Sequence, residues 1–189
     1  MNLPSGESDS DQWCTTSNGD TFETTFTWTI KDYINRPEEK GQFLVSSVVL
    51  VHGPNNKKIK WQFSLYPRGH KNTDLDESML YMNNLNNFDV KARFKVSVKD
   101  DKDHLQQTRS FTLQVYKAEE RKIEDSSWGG DIRLNVDQLK DDPSPLIGGK
   151  DLKLFFKIVV YENEKILSGS KYSNYVGLPE RCKTQVADD

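Results

Sequence analysis

The amino-acid sequence predicts an all-β protein: an antiparallel sandwich of seven to eight strands with at most one short helix. Three observations predict it. Apolar residues recur with a period of two in one segment after another, clusters of Pro, Gly and Asn separate those segments, and no long helix is signalled anywhere. The clearest periodic stretch is VKARFKVSV at 90–98. Val90, Ala92, Phe94, Val96 and Val98 fall on one side, and Lys91, Arg93, Lys95 and Ser97 on the other. Its aliphatic side requires a second layer, and its cationic side suits a solvated face.

The elements follow in order. Residues 1–20 combine Pro, Gly, Ser and Asp with few apolar side chains and are expected to be disordered. TFETTFTWTIKDY then sets Phe22, Phe26, Trp28 and Ile30 among threonines, a composition suited to a pleated strand. INRPEEKGQ is a charged loop bracketed by Pro37 and Gly41. FLVSSVVLVH at 43–52 is rich in β-branched residues and reads as one strand, ended by GPNNKK. IKWQFSLY at 59–66 alternates again and stops at Pro67-Arg68-Gly69.

MLYMNNL supplies a short strand carrying Tyr81, followed by the 90–98 strand and the acidic turn DDKD. QTRSFTLQVY at 107–116 is the next strand, with Phe111, Leu113 and Val115 in phase. KAEERKIED is compatible with a helix, an edge strand or a loop. Ser126 to Gly130 reads as a turn around Trp128, and IRLNVDQLKDD as a strand followed by one helical turn near Val136 to Leu139. DLKLFFKIVVY at 151–161 is the final strand, and from Ser168 the chain is polar. The expected organisation is a disordered segment at 1–20, one sandwich domain at 21–165 and a polar tail at 166–189.

Composition bounds the function. In 189 residues, a hydrophobic share of 34% with 11% aromatics describes one folded, polar-surfaced domain, and the mean hydropathy of -0.77 agrees. The 26 basic and 29 acidic residues are interspersed and give a net charge of -3, which does not favour nucleic acid as a partner. Cys14 and Cys182 belong to no CxxC or Cys/His cluster, which fits a reducing compartment. The acidic N-terminus is no signal peptide, and apolar runs such as Val48 to Val51 are too short to span a bilayer. The expectation is an intracellular protein, in the nucleus or cytoplasm, that binds no membrane.

Catalytic chemistry finds no support. His52, His70 and His104 are isolated beside turns, and no GxSxG, HExxH, P-loop or GxGxxG pattern occurs. Asp100, Asp101 and Asp103 with Asp74 and Asp76 lack the glycine and terminal glutamate of a calcium loop. A non-enzyme with no cofactor and no metal is therefore expected. Trp28 and Trp61, in strand phase, read as core.

Several motifs resemble the MATH domain, the meprin and TRAF-C homology sandwich: FTWTIKDY, WQFSLYPRG, MLYM before VKARFKVSV, an isolated WG, and DLKLFFKIVVY. Their order and spacing, from about Phe22 to Glu164, carry the resemblance. The tail VGLPERCKTQVADD is similar to the linker that enters the BTB domain of MATH-BTB adaptors of cullin-RING ubiquitin ligases. By that resemblance the chain is a substrate-recognition module whose link to the ligase is a BTB domain absent from it. Its partners would be extended, Ser/Thr-rich peptide segments of substrate proteins, bound by strand addition.

Carried over position by position, the resemblance implies a peptide-binding site at Tyr81, Phe94, Ser126, Ser127, Trp128, Gly129 and Gly130. The chain departs from the family pattern at Ser126-Ser127, where Lys-Asp is expected, and at Gly130, where an aromatic is expected. These departures imply altered or lost peptide specificity. The alternative is a TRAF-like scaffold that trimerises and binds receptor tails. Residues 1–20 carry no heptads, so a monomer is expected.

Overall fold

A computed structural model describes residues 14–18, 21–74, 76–118, 127–143 and 146–162. Among these residues ten strands form two antiparallel sheets. In chain order they are β1 (Cys14–Asn18), β2 (Thr21–Ile30), β3 (Leu44–Val45), β4 (Val49–His52) and β5 (Lys58–Tyr66), then β6 (Met79–Asn84), β7 (Val90–Lys99), β8 (Leu105–Tyr116), β9 (Ser127–Asp131) and β10 (Leu152–Tyr161). One sheet has the order β1-β2-β10-β7-β8. The other has the order β3-β5-β6-β9, with β4 also paired to β5.

Period-two alternation decides which side of each strand is covered. Along β10 and β7 the apolar residues Leu152, Leu154, Phe156, Ile158, Ala92, Phe94 and Val96 are buried between the sheets. The centre is aromatic. Phe26 stacks on Phe156 at 4.4 Å, Phe63 reaches across from the other sheet to lie 4.3 Å from Phe156, and Phe94 meets Phe63 edge-on at 5.5 Å. Burying each such ring stabilises the fold by about 1.5–3 kcal/mol, before the gain from ring geometry. Trp28 and Trp61 are core residues, as their phase predicts. Trp61 meets Tyr116 edge-on at 5.0 Å, and neither Trp61 Nε1 nor Tyr116 Oη has a hydrogen-bond partner among the described residues. Contact of a ring edge with a π face partly offsets that loss.

Buried polar groups tie the connections to the sandwich. The amide of Asn84 donates to the carbonyls of Phe88, Tyr116 and Lys117, and Asn84 Oδ1 accepts from the N–H and amide of Asn86. Ser78 donates its hydroxyl proton to the Pro67 carbonyl, so the Tyr33 hydroxyl, 2.5 Å away, is the donor to Ser78 Oγ. Burial pushes the Tyr33 pKa up, which keeps that proton in place. Among the described residues one α-helix, α1 (Val136–Asp141), starts where Asn135 Oδ1 caps the N–H groups of Asp137 and Gln138, and it buries Val136 and Leu139.

Five expectations change. Phe111 and Val115, expected in phase, face opposite ways, because β8 shifts register against β7 between Ala92 and Phe94. The stretch at 43–52 is two strands, because Ser46 Oγ takes the N–H of Phe63 at 2.9 Å where a ladder carbonyl would otherwise stand. Cys14–Asn18, inside the segment expected to be disordered, pairs with β2 from Cys14↔Thr25 to Asn18↔Thr21. Its Thr15 and Thr16 are strand-compatible, and Asn18-Gly19-Asp20 is a hairpin-type sequence. The turn-prone Ser127 to Gly130 belongs to a strand, while Ile132 to Asn135, expected to be one, forms none. There the Ile132 N–H donates to the Ser78 carbonyl and the Leu134 carbonyl accepts from the Ser78 N–H, a local clasp rather than a ladder. The expected tail at 166–189 and most of KAEERKIED lie outside the described residues.

Candidate functional site

Strand β9 ends its sheet. It pairs with β6 on one side and has no strand on the other among the described residues. The register places Tyr81 opposite Gly129, Met82 opposite Trp128 and Leu80 opposite Gly130. Directly paired residues share a face. Tyr81 and Gly129 therefore point outward, while Trp128 and Gly130 have the inward phase of buried Met82 and Leu80. Inward phase does not bury a residue at the rim: Trp128 is 44% exposed.

Two adjacent glycines on this edge differ in what surrounds them. A Cβ at Gly129 would run into the Leu80 carbonyl oxygen, so only glycine lets β9 approach β6 here. On the inward face, a Cβ at Gly130 would stand 3.5 Å from Phe111 Cε1. Phe111 comes from β8, the edge strand of the other sheet, and stacks on Phe94 at 4.3 Å. It thus floors the notch at Gly130.

Beyond the notch the two sheet edges are clamped. Arg109 on β8 reaches both carboxylate oxygens of Asp131 through the single nitrogen Nη2, at 3.0 and 2.8 Å, and Gln107 donates to the carbonyls of Ile132 and Arg133. The outward side continues as an aromatic surface. Tyr81 meets Tyr66 edge-on at 5.8 Å, and Tyr66 also contacts Phe43 at 5.2 Å and His70 at 5.1 Å. Burial raises the pKa of both tyrosines, so their hydroxyls remain protonated donors.

The residues predicted for the site therefore separate. Tyr81, Ser127, Trp128, Gly129 and Gly130 gather on β6 and β9. Phe94 does not join them: it is 1% exposed, packed between Phe63 and Phe111, and cannot touch a bound peptide directly. Ser126 lies outside the described residues. Sequence reasoning missed Phe111, Tyr66 and Phe43. Phe111 carried only an ordinary strand-phase signal, and nothing in a periodicity places it beneath a strand of the opposite sheet.

Among the described residues, no group of three or more His, Cys, Asp or Glu side chains could hold a metal ion. No helix among them is long and apolar enough to cross a membrane. The described residues thus present an exposed edge strand lined by aromatic rings, a surface suited to contact with another protein. Comparison with protein families makes that specific: the MATH domain matches residues 25–160, most of the chain, and the protein belongs to that family. MATH domains are in general protein–protein interaction modules.

Proposed function

We propose that β9 receives an extended segment of a partner protein as an added strand. The observation that carries this reading is a free edge with one open position, Gly130 on the inward face over Phe111, beside the outward ring of Tyr81. Side chains of an added strand alternate between faces. One side chain reaches Tyr81 across Gly129, and its neighbour enters the notch over Phe111, flanked by Trp128. Backbone hydrogen bonds supply affinity, and the notch over Phe111 with the Tyr81 surface supplies selectivity.

On this reading the chain acts as a monomer in the nucleus or cytoplasm, as the substrate-recognition part of a cullin-RING ubiquitin ligase adaptor of the speckle-type POZ protein kind. The similarity of VGLPERCKTQVADD to a BTB linker supports that role. The sequence also supports a shifted specificity. Ser127 brings no charge to the peptide, and Gly130 leaves room for a bulkier apolar side chain than a pocket already filled by an aromatic.

The test is a fluorescence-anisotropy titration of the full chain with labelled extended peptides, Ser/Thr-rich and varied at one apolar position. Saturable binding is expected, weakened at least about tenfold by Trp128→Ala and by Gly130→Val, with melting temperatures close to that of the parent. Binding unchanged in both variants, or absent across the library, overturns the reading.

A further inference from the structure

The outward face of the larger sheet carries a charge pattern that folding alone does not account for. Lys91, Arg93, Lys95 and Lys99 line the outward side of β7, and Lys153 and Lys157 that of β10. The register sets Lys153 directly opposite Lys99, and Lys157 directly opposite Lys95. Like charges so placed destabilise a sheet, and departures from local rules concentrate where a surface has a task.

The two strands differ in how their charge is met. Both β10 lysines have acids: Lys157 pairs with Glu23 on β2, and Lys153 with Asp103 in the turn after β7. Among the described residues no acid forms an ion pair with Lys91, Arg93 or Lys95, while the charge of Lys99 acts through space on Asp103. Arg93 and Lys99 instead lie over the rings of Tyr161 and Phe155 on β10, at 5.8 and 4.9 Å. Such contacts leave the cations' N–H groups available for a carboxylate. On the other flank, Leu113 and Val115 of β8 are exposed, with Val115 directly opposite Lys91.

We propose that this face docks an acidic, extended segment of a partner protein, with Asp or Glu at alternate positions, lying along β7. Geometry matches the ligand. Lys91, Arg93 and Lys95 are successive outward residues, about 7 Å apart, which is also the spacing of alternate side chains in an extended peptide. The unpaired cationic track is one strand wide, and Glu23 and Asp103 border the sheet beyond it. A narrow peptide fits between those acids, whereas a nucleic acid or an anionic bilayer would overlie them, and the net charge of -3 opposes both. The track is separate from β9, so this proposal stands or falls independently of the strand-addition reading.

The full chain is titrated with a fluorescein-labelled peptide of alternating Glu and Ser, its Gln-Ser counterpart, oligothymidylate and phosphatidylserine vesicles. Saturable binding of the Glu-Ser peptide alone is expected, weakening as salt rises. Combining Lys91→Gln, Arg93→Gln and Lys95→Gln should weaken it about tenfold or more. That variant should not lower the melting temperature, since Lys95 no longer faces Lys157. Trp128→Ala, and Lys58→Gln with Lys60→Gln on the opposite sheet, should leave the affinity unchanged. Equal affinity in the triple variant, equal loss in the controls, or tighter binding of oligothymidylate or vesicles overturns the proposal.

Discussion

Phe94 and Trp128 have the same phase. Each sits on the inward side of its strand, yet Phe94 is 1% exposed and Trp128 is 44% exposed. The difference is position in the sheet. β7 lies between β10 and β8 with the other sheet across from it, whereas β9 is a terminal strand. Phase tells which way a side chain points, and strand order tells whether anything covers it.

Paired substitutions break or sharpen this comparison most directly. Phe94→Ala removes a ring held between Phe63 and Phe111 and should cost about 3–5 kcal/mol in chemical denaturation. Trp128→Ala should change stability by no more than about 0.5 kcal/mol, as expected of a surface site. Comparable losses in the two variants would mean that the rim is core after all. A peptide whose affinity fell in Phe94→Ala with the fold intact would show that Phe94 supports the notch through Phe111.

The next effect down is at Asn84, which has the inward phase of Leu80 and Met82 but ends its strand rather than lying mid-core. Its amide donates to three carbonyls where the chain enters and leaves the β7–β8 hairpin. Asn84→Ala should cost about 2–3 kcal/mol, since buried carbonyls lose their donor. Asn84→Asp should cost more, because a carboxylate cannot donate to them. A neutral Asn84→Ala would mean that water replaces the amide at no cost.

Much of the fold was legible because period-two alternation is a property of single strands, and a sandwich is mostly strands read one at a time. The alternation at 59–66, 90–98 and 151–161 named the core faces, including Trp61, Phe94 and Phe156. What escaped was decided between strands. Ser46 interrupts a β-branched run by offering its hydroxyl oxygen to Phe63, which no composition of that run reveals. Two glycines read as a turn in Ser126 to Gly130, yet Gly129 is needed because β9 approaches the Leu80 carbonyl closely. Phe111 reaches β9 only because the edges of two sheets meet, and Phe94 is covered because β7 lies inside its sheet.

The smallest effect concerns the turn that keeps β8 beside β7, and it is read by pH. One oxygen of Asp100 accepts the N–H groups of Lys102 and His104 at 2.9 and 2.8 Å, and the other accepts from the Gln106 amide at 2.7 Å. Desolvation acts to raise the Asp100 pKa, but these hydrogen bonds together outweigh it and hold the carboxyl below its usual value. A folded-state pKa lower than the unfolded one stabilises the protein above the unfolded value, about 3.9, and that stabilisation is lost as pH falls through the folded pKa. The parent should therefore lose part of its melting temperature below about pH 4. Asp100→Asn keeps an oxygen for the two backbone donors and does not titrate, so its acid slope should be shallower while its melting temperature at neutral pH falls slightly. Parallel slopes would place the acid sensitivity in other carboxylates, such as Asp151, whose pKa is lowered chiefly by the Asp32 N–H. The turn would then be held by its backbone bonds, among them Asp100 N–H to the His104 carbonyl at 3.0 Å, rather than by its charge.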